Sequence, residues 1–270
     1  IQPNAAWVDQ LMDELVEALK NVLAPTSIVI NGAGRARVLE GLDESRCMAF
    51  GDMPTAAIEV PMNGAIYFAD VAEGQKTGIF YDQRPNHHFV QKLSAGKKVL
   101  DVFSHVGGFG LAAMANGATE VTCVDSSQPA LDLAVRGASA TQADVPFEII
   151  KGDAFDVMIN MASQGKIFDI VVCDPPAFAP QKASREVGLR AYERVARLAS
   201  ALVADGGYLA LCSCSHAADL ERFRASCIRG IGRAGRHAQL IHTGGAGPDH
   251  PHHMALAESS YLKTLVFRMQ

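Results

Sequence analysis

Apolar positions change rhythm twice along this chain. Over residues 5–23, Trp7, Leu11, Leu15, Leu19, Val22 and Leu23 recur near every 3.6 residues, which predicts one amphipathic helix. Short alternating runs at 27–31, 36–40 and 47–50 predict strands. A hairpin is expected next, because 57–61 and 65–71 flank Met62-Asn63-Gly64, and Asn-Gly suits the left-handed turn between paired strands. These elements predict a small α+β domain over residues 1–78, bounded by the polar, glycine-flanked stretch 73–78.

From residue 79 the rhythm becomes strand–helix alternation, the signature of a parallel sheet. Strands are predicted at 98–102, 120–124, 147–150, 168–173 and 207–213, with two more near 238–242 and 261–268. Helices are predicted at 84–94, 108–116, 128–139, 154–163, 184–204 and 216–230. The Gly/His/Pro-rich loop 243–253 shows no helical pattern, so the last two strands should form an antiparallel pair. The second domain, 79–270, is thus expected to be α/β. It should hold a mostly parallel, Rossmann-like seven-stranded sheet with an antiparallel last strand.

Four of the apolar runs stop near an acidic residue: Asp101, Asp125, Asp153 and Asp174. In a parallel sheet with helical crossovers those stops share one edge, where open α/β sheets bind ligands. After Asp101 come Phe103, Ser104, Gly107 and Gly108, and then Gly110. This spacing is not G-x-G-x-x-G and argues against a dinucleotide-dependent oxidoreductase. The expected role is close approach of a ligand at Gly107 and Gly108, with Asp101 accepting from a cationic amino group. Asp125, followed by Ser126, is spaced to bind ribose hydroxyls. Asp153 could meet an adenine amine, and it reads equally well as a helix N-cap. Such a set suits an adenosine-bearing ligand with a cationic head. That points to S-adenosylmethionine, and with the strand order to a class I methyltransferase.

Asp174-Pro175-Pro176-Ala177-Phe178 adds a second kind of chemistry. Two prolines stop the strand and stiffen the loop. They leave an acid, prolyl carbonyls and the Phe178 ring displayed to an amino-bearing heterocycle. In Cys212-Ser213-Cys214-Ser215-His216, Cys212 reads as a small buried hydrophobe. Cys214, nearer the strand end, reads as a thiolate nucleophile close to the next helix N-terminus, which would lower its pKa. A metal at Cys212, Cys214 and His216 would need a convergent fourth ligand, and none is expected.

Composition narrows the partners. The chain is 49% apolar with a net charge of −5, so any polyanion must be held by a local patch or another module. The leading helix carries Asp9, Asp13, Glu14, Glu17 and Lys20 and is amphipathic, not membrane-spanning. No cationic-then-apolar leader opens the chain, and six scattered cysteines suit reduced thiols in the cytoplasm.

Taken in order, several segments resemble the bacterial large-subunit ribosomal RNA methyltransferase I family. They are 73–78, Asp82-Gln83-Arg84, Phe103-Ser104 with Gly107-Gly108-Phe109, Asp174-Pro175-Pro176 with Phe178, Ser213-Cys214-Ser215, Asp249-His250-Pro251 and Tyr261-Leu262-Lys263. The resemblance covers nearly the whole chain. It departs from the family at His87, His105-Val106 and Ala177. It implies formation of 5-methylcytosine in ribosomal RNA from S-adenosylmethionine, with Cys214 and Asp174 catalytic and Asp174 also among the cofactor-binding residues. Pro175, Pro176, Phe178, Gln83 and Arg84 would face the RNA. Similar proteins carry an N-terminal RNA-binding PUA domain, which these residues are expected to lack, and a homodimer is compatible. The rival within the class is methylation of a purine or other nitrogen on the same Asp-Pro-Pro element.

Overall fold

A computed structural model describes residues 1–33, 35–71, 78–141 and 144–270, so the expected boundary segment 73–77 lies outside the described residues. The fold separates into two units, 1–57 and 58–270. The first holds α1 (Ala6–Gln10), α2 (Met12–Leu23), β1 (Ile28–Gly32), α3 (Arg35–Leu39) and β2 (Ser45–Phe50), with β1 and β2 antiparallel. Two expectations are corrected here. The single helix over 5–23 is broken at Leu11, which takes φ −107° and ψ 16°. Tertiary bonds fix α1 separately: Asp9 receives both Arg37 guanidinium nitrogens at 2.8 Å, and Glu40 accepts from Ala6 N–H at 2.9 Å. Residues 36–40 were expected as a strand and form α3 instead. Five residues are too few for periodicity to discriminate, and the buried Arg37 also ties α3 to the Pro3 and Asp43 carbonyls.

The second unit opens with the hairpin β3 (Ile58–Met62) and β4 (Ala65–Ala69). Asn63 and Gly64 both take positive φ, 53° and 76°, as a two-residue turn of this hand requires. The hairpin packs beside the helices of the large sheet. Tyr67 Oη donates to the Gly108 carbonyl at 3.0 Å, and the Arg136 guanidinium lies 4.1 Å over the Phe68 ring.

The following elements are α4 (Arg84–Gln91), β5 (Lys98–Val102), α5 (Gly108–Ala115), β6 (Glu120–Asp125), α6 (Gln128–Thr141) and β7 (Phe147–Lys151). Then come α7 (Ala154–Ser163), β8 (Phe168–Cys173), α8 (Arg185–Ser200), β9 (Val203–Ser213), α9 (Leu220–Arg233), β10 (Ala238–Gly244) and β11 (Lys263–Met269). Seven strands form one sheet in the order β10-β11-β9-β8-β5-β6-β7, and β11 runs antiparallel to both neighbours. The expected α/β sheet is therefore present.

Alternation along each strand divides the core. Leu100, Val102, Leu209 and Leu211 face a cluster with Tyr192 and Phe223, while Val99, Val121, Ala210 and Cys212 face Phe109, Leu111 and Leu131. One helix boundary matters for chemistry. The helix expected at 216–230 begins only at Leu220, because Asp219 is its N-cap and accepts from Arg222 N–H at 2.9 Å. Residues 215–218 form a turn instead, which removes a helix N-terminus from the neighbourhood of Cys214.

Candidate active site

The ends of β5, β6, β7, β8 and β9 open into one cleft of about 1220 Å³, larger than a typical small-ligand pocket. Asp101, Phe103, Ser104, Gly108, Asp125, Ser126, Asp153, Asp174, Pro175, Pro176, Phe178, Gln83 and Cys214 all line it. Gly107 and Arg84 are not among the lining residues. Arg84 lies 3.6 Å from Asp249, and Gly107 serves the turn with φ 83°. Gly108 meets a protein neighbour: a Cβ there would come within 2.8 Å of His87 Nε2. Gly108 therefore both packs against His87 and lines the cleft.

The acidic residues on the β5–β7 side are held by nearby backbone. Asp101 is 1% exposed, and its Oδ2 accepts from Phe109 and Gly110 N–H at 3.1 and 2.8 Å. Burial pushes its pKa up to about 7, helped by Asp174 and Asp125 and opposed by those two amide bonds. Asp125 accepts from His105 and Ser127 N–H at 2.8 and 2.9 Å. Asp153 caps α7 through Phe155 and Asp156 N–H, at 2.9 and 3.2 Å. Capping leaves further acceptor capacity on each carboxylate, so it does not exclude ligand binding. Phe103 and His105 take positive φ, 62° and 50°, a conformation that costs non-glycine residues about 1–3 kcal/mol each and clusters at ligand sites.

Among the described residues, the buried polar atoms at the cleft without a hydrogen-bond partner include Asp101 Oδ1, Ser104 Oγ and His87 Nδ1. Burial pushes the His87 pKa down to about 3, so its ring is neutral. Orphaned buried polar groups are costly unless a ligand meets them. An acceptor and a hydroxyl beneath the β5 turn, with two more carboxylates at the neighbouring strand ends, fit the ammonium and ribose of S-adenosylmethionine.

The β8–β9 side is held by distant side chains. Gln83 Nε2 donates to Asp174 Oδ2 at 2.8 Å, and Asn86 Nδ2 donates to Gln83 Oε1 at 2.7 Å and to the Gly245 carbonyl at 3.0 Å. Gln83 is buried and orients the carboxylate. The serines beside Cys214 are structural: Ser215 Oγ accepts from Ala179 N–H at 2.9 Å and bonds Tyr192 Oη at 2.7 Å. They fasten the Cys214 turn to the Pro-Pro loop, leaving Cys214 half-buried in the cleft wall. Cys212 is fully buried and bonds Thr264 Oγ1 at 3.3 Å, and burial pushes its thiol far up. Phe178 lies with Phe103, Phe155 and Tyr192 at centroid distances of 6.4, 6.2 and 5.0 Å.

Sequence reasoning left Asp82, His87, Tyr261 and Lys263 without roles. Tyr261 Oη donates to Asp82 Oδ2 at 2.5 Å beside Cys214, and burial with that carboxylate pushes its pKa up. The signal was present in Tyr261-Leu262-Lys263, because an antiparallel strand presents its beginning at the edge where its parallel neighbours end.

A family model described as S-adenosylmethionine-dependent methyltransferase matches residues 10–268. Ribosomal RNA large subunit methyltransferase I of Aeromonas salmonicida is 36% identical over 94% of this chain and 64% of its own length. The protein of that name from Yersinia pseudotuberculosis is 31% identical over 100% of this chain and 68% of its own length. The chain therefore spans about two thirds of the length of these relatives. A crystal structure of a methyltransferase complexed with SAH superimposes with a TM-score of 0.82 at 23% identity, covering 97% of this chain and 67% of that one. A methyltransferase from Streptococcus mutans gives 0.81 at 22%, over 97% and 66%. Sheet order, cleft and family model agree, and the chain belongs to the S-adenosylmethionine-dependent methyltransferase family, with S-adenosylmethionine as its cofactor.

Proposed function

We propose that this cleft methylates carbon 5 of a cytosine in large-subunit ribosomal RNA, in the cytoplasm, with Cys214 as covalent nucleophile. The observation that carries the reading is the shared cleft: the Cys214 thiol and the Asp174 carboxylate line the same cavity as the acidic ends of β5, β6 and β7. The names of the relatives supply the RNA class. Capture of that RNA rests on local patches or a further module such as a PUA domain, since the net charge is −5.

Carbon 5 of cytosine is a weak nucleophile and must be activated. Cys214 Sγ bonds to carbon 6 of a cytosine turned out of its stack, which moves ring electron density to carbon 5. Bound S-adenosylmethionine supplies the sulfonium methyl electrophile. Asp174, oriented by Gln83, accepts a hydrogen bond from the amino edge of the ring and stabilises the adduct. Pro175 and Pro176 keep that loop rigid. Once carbon 5 carries the methyl group, a base takes up its proton, the electron pair re-forms the 5,6 double bond, and the bond from sulfur to carbon 6 breaks to return the thiolate.

RNA containing 5-fluorocytidine tests this, because carbon 5 then carries no proton to lose. With cofactor, the protein should form an RNA complex that survives denaturation, and Cys214→Ala should form none. An active protein that gives no adduct, and whose Cys214→Ala variant still methylates, would instead modify a nitrogen at the Asp174-Pro175-Pro176 element.

A further inference from the structure

Lys263 opens β11 opposite Ser213, the last residue of β9. It is 6% exposed, a rare state for lysine. Its Nζ donates to the Ser215 and Ala218 carbonyls at 2.7 and 2.8 Å. The ammonium therefore sits inside the turn that separates Cys214 from α9. Carbonyls solvate a cation without neutralising it, so the ammonium keeps its charge in the turn behind the thiol. Burial lowers the lysine pKa to about 8, and Cys214 and Asp219 act in the opposite direction.

Other titratable groups surround this thiol. Tyr192 of α8 and Tyr261 before β11 both lie within its electrostatic reach, and burial holds both phenols neutral. Asp174 and His216 share its cleft wall, and Asp219 stands at the start of α9. These two carboxyl groups and Asp82, which Tyr261 bonds in the same cleft, oppose a thiolate, and the helix N-terminus that could have favoured one begins only at Leu220. Lys263 is the cation placed to offset them.

We propose that Lys263 is a positioning residue for Cys214, pinning the 215–218 turn and supplying the countercharge for its thiolate. This rests on the reading of Cys214 as nucleophile, but its test needs no RNA. The measurement is the pH profile of Cys214 alkylation by iodoacetamide in a Cys47→Ser background, since Cys47 is exposed and Cys123, Cys173, Cys212 and Cys227 are buried. Lys263→Met should raise the midpoint by about one pH unit and slow alkylation about tenfold at neutral pH. Lys263→Arg should restore much of that shift. Retained affinity for S-adenosylhomocysteine would show that the variants are folded, and an unmoved midpoint in folded Lys263→Met overturns the proposal.

Should Lys263→Met fail to fold, the reciprocal experiment decides. Linkage requires the Lys263 midpoint, followed by NMR, to fall in Cys214→Ser relative to the unmodified protein. An unchanged midpoint overturns the proposal equally. A lysine–thiol coupling without any 5-fluorocytidine adduct would refute the cytosine reading alone.

Discussion

The two halves of the cleft are built by opposite means. On the β5–β7 side, each carboxylate is fastened to amides of its own turn or the next: Asp101 to Phe109 and Gly110, Asp125 to His105 and Ser127, Asp153 to Phe155 and Asp156. On the β8–β9 side the ties are long. Gln83 reaches Asp174 across 91 residues, Asn86 reaches Gly245 across 159, and Tyr261 reaches Asp82 across 179. In the first half every such bond closes within 20 residues of chain. The second exists only once the whole sheet, including β11, has closed.

Substitutions should therefore act on cofactor binding in one half and on methyl transfer in the other. The largest effect is expected at Asp174. Asp174→Asn should lower the rate by roughly 10²–10³, the scale for losing a preorganised polar group. Calorimetry should find cofactor affinity unchanged within about threefold; equal losses in both would erase the distinction between the halves.

Asp125→Ala should do the reverse and weaken cofactor binding by roughly 1.5–3 kcal/mol, the scale of lost hydrogen bonds to a charged group. It also frees His105 and Ser127 N–H. Unaltered affinity would remove Asp125 from the ribose assignment.

The smallest effect is a pH dependence. Burial raises the Asp101 pKa to about 7, so a ligand ammonium received there should draw this carboxyl into its ionised form. Affinity for S-adenosylhomocysteine should climb as pH rises from 6 to 8, by at most about tenfold per unit below 7, and then level off. The sign for the ligand-free fold is opposite. A carboxyl whose folded pKa is raised contributes stability below its unfolded pKa and loses it as pH passes through about 7. Asp101→Asn should flatten both profiles, and a slope that survives it would assign the titration elsewhere.

The same contrast explains what could be read without coordinates. Strand ends, the acidic stops and the Asn63-Gly64 turn are local patterns, and the sheet they imply is the one observed. The bond from Gln83 to Asp174 was not legible, because nothing nearby reveals a carboxylate 91 residues away as its partner. The packing of Gly108 against His87 was hidden for the same reason, since that ring comes from α4. In the first unit, the bidentate Asp9–Arg37 pair overrode both the helix period and the strand alternation.

The reversed direction of β11 has a practical consequence for labelling. Lys263 lies at the cleft edge and Met269 pairs with Ala238 at the other end of the strand. Six residues of extended chain cover ~20 Å. A fluorophore or affinity handle joined at Gln270 therefore hangs from the floor of the sheet, clear of the cavity mouth. Insertions just ahead of Tyr261 would land beside Cys214 in the cleft wall.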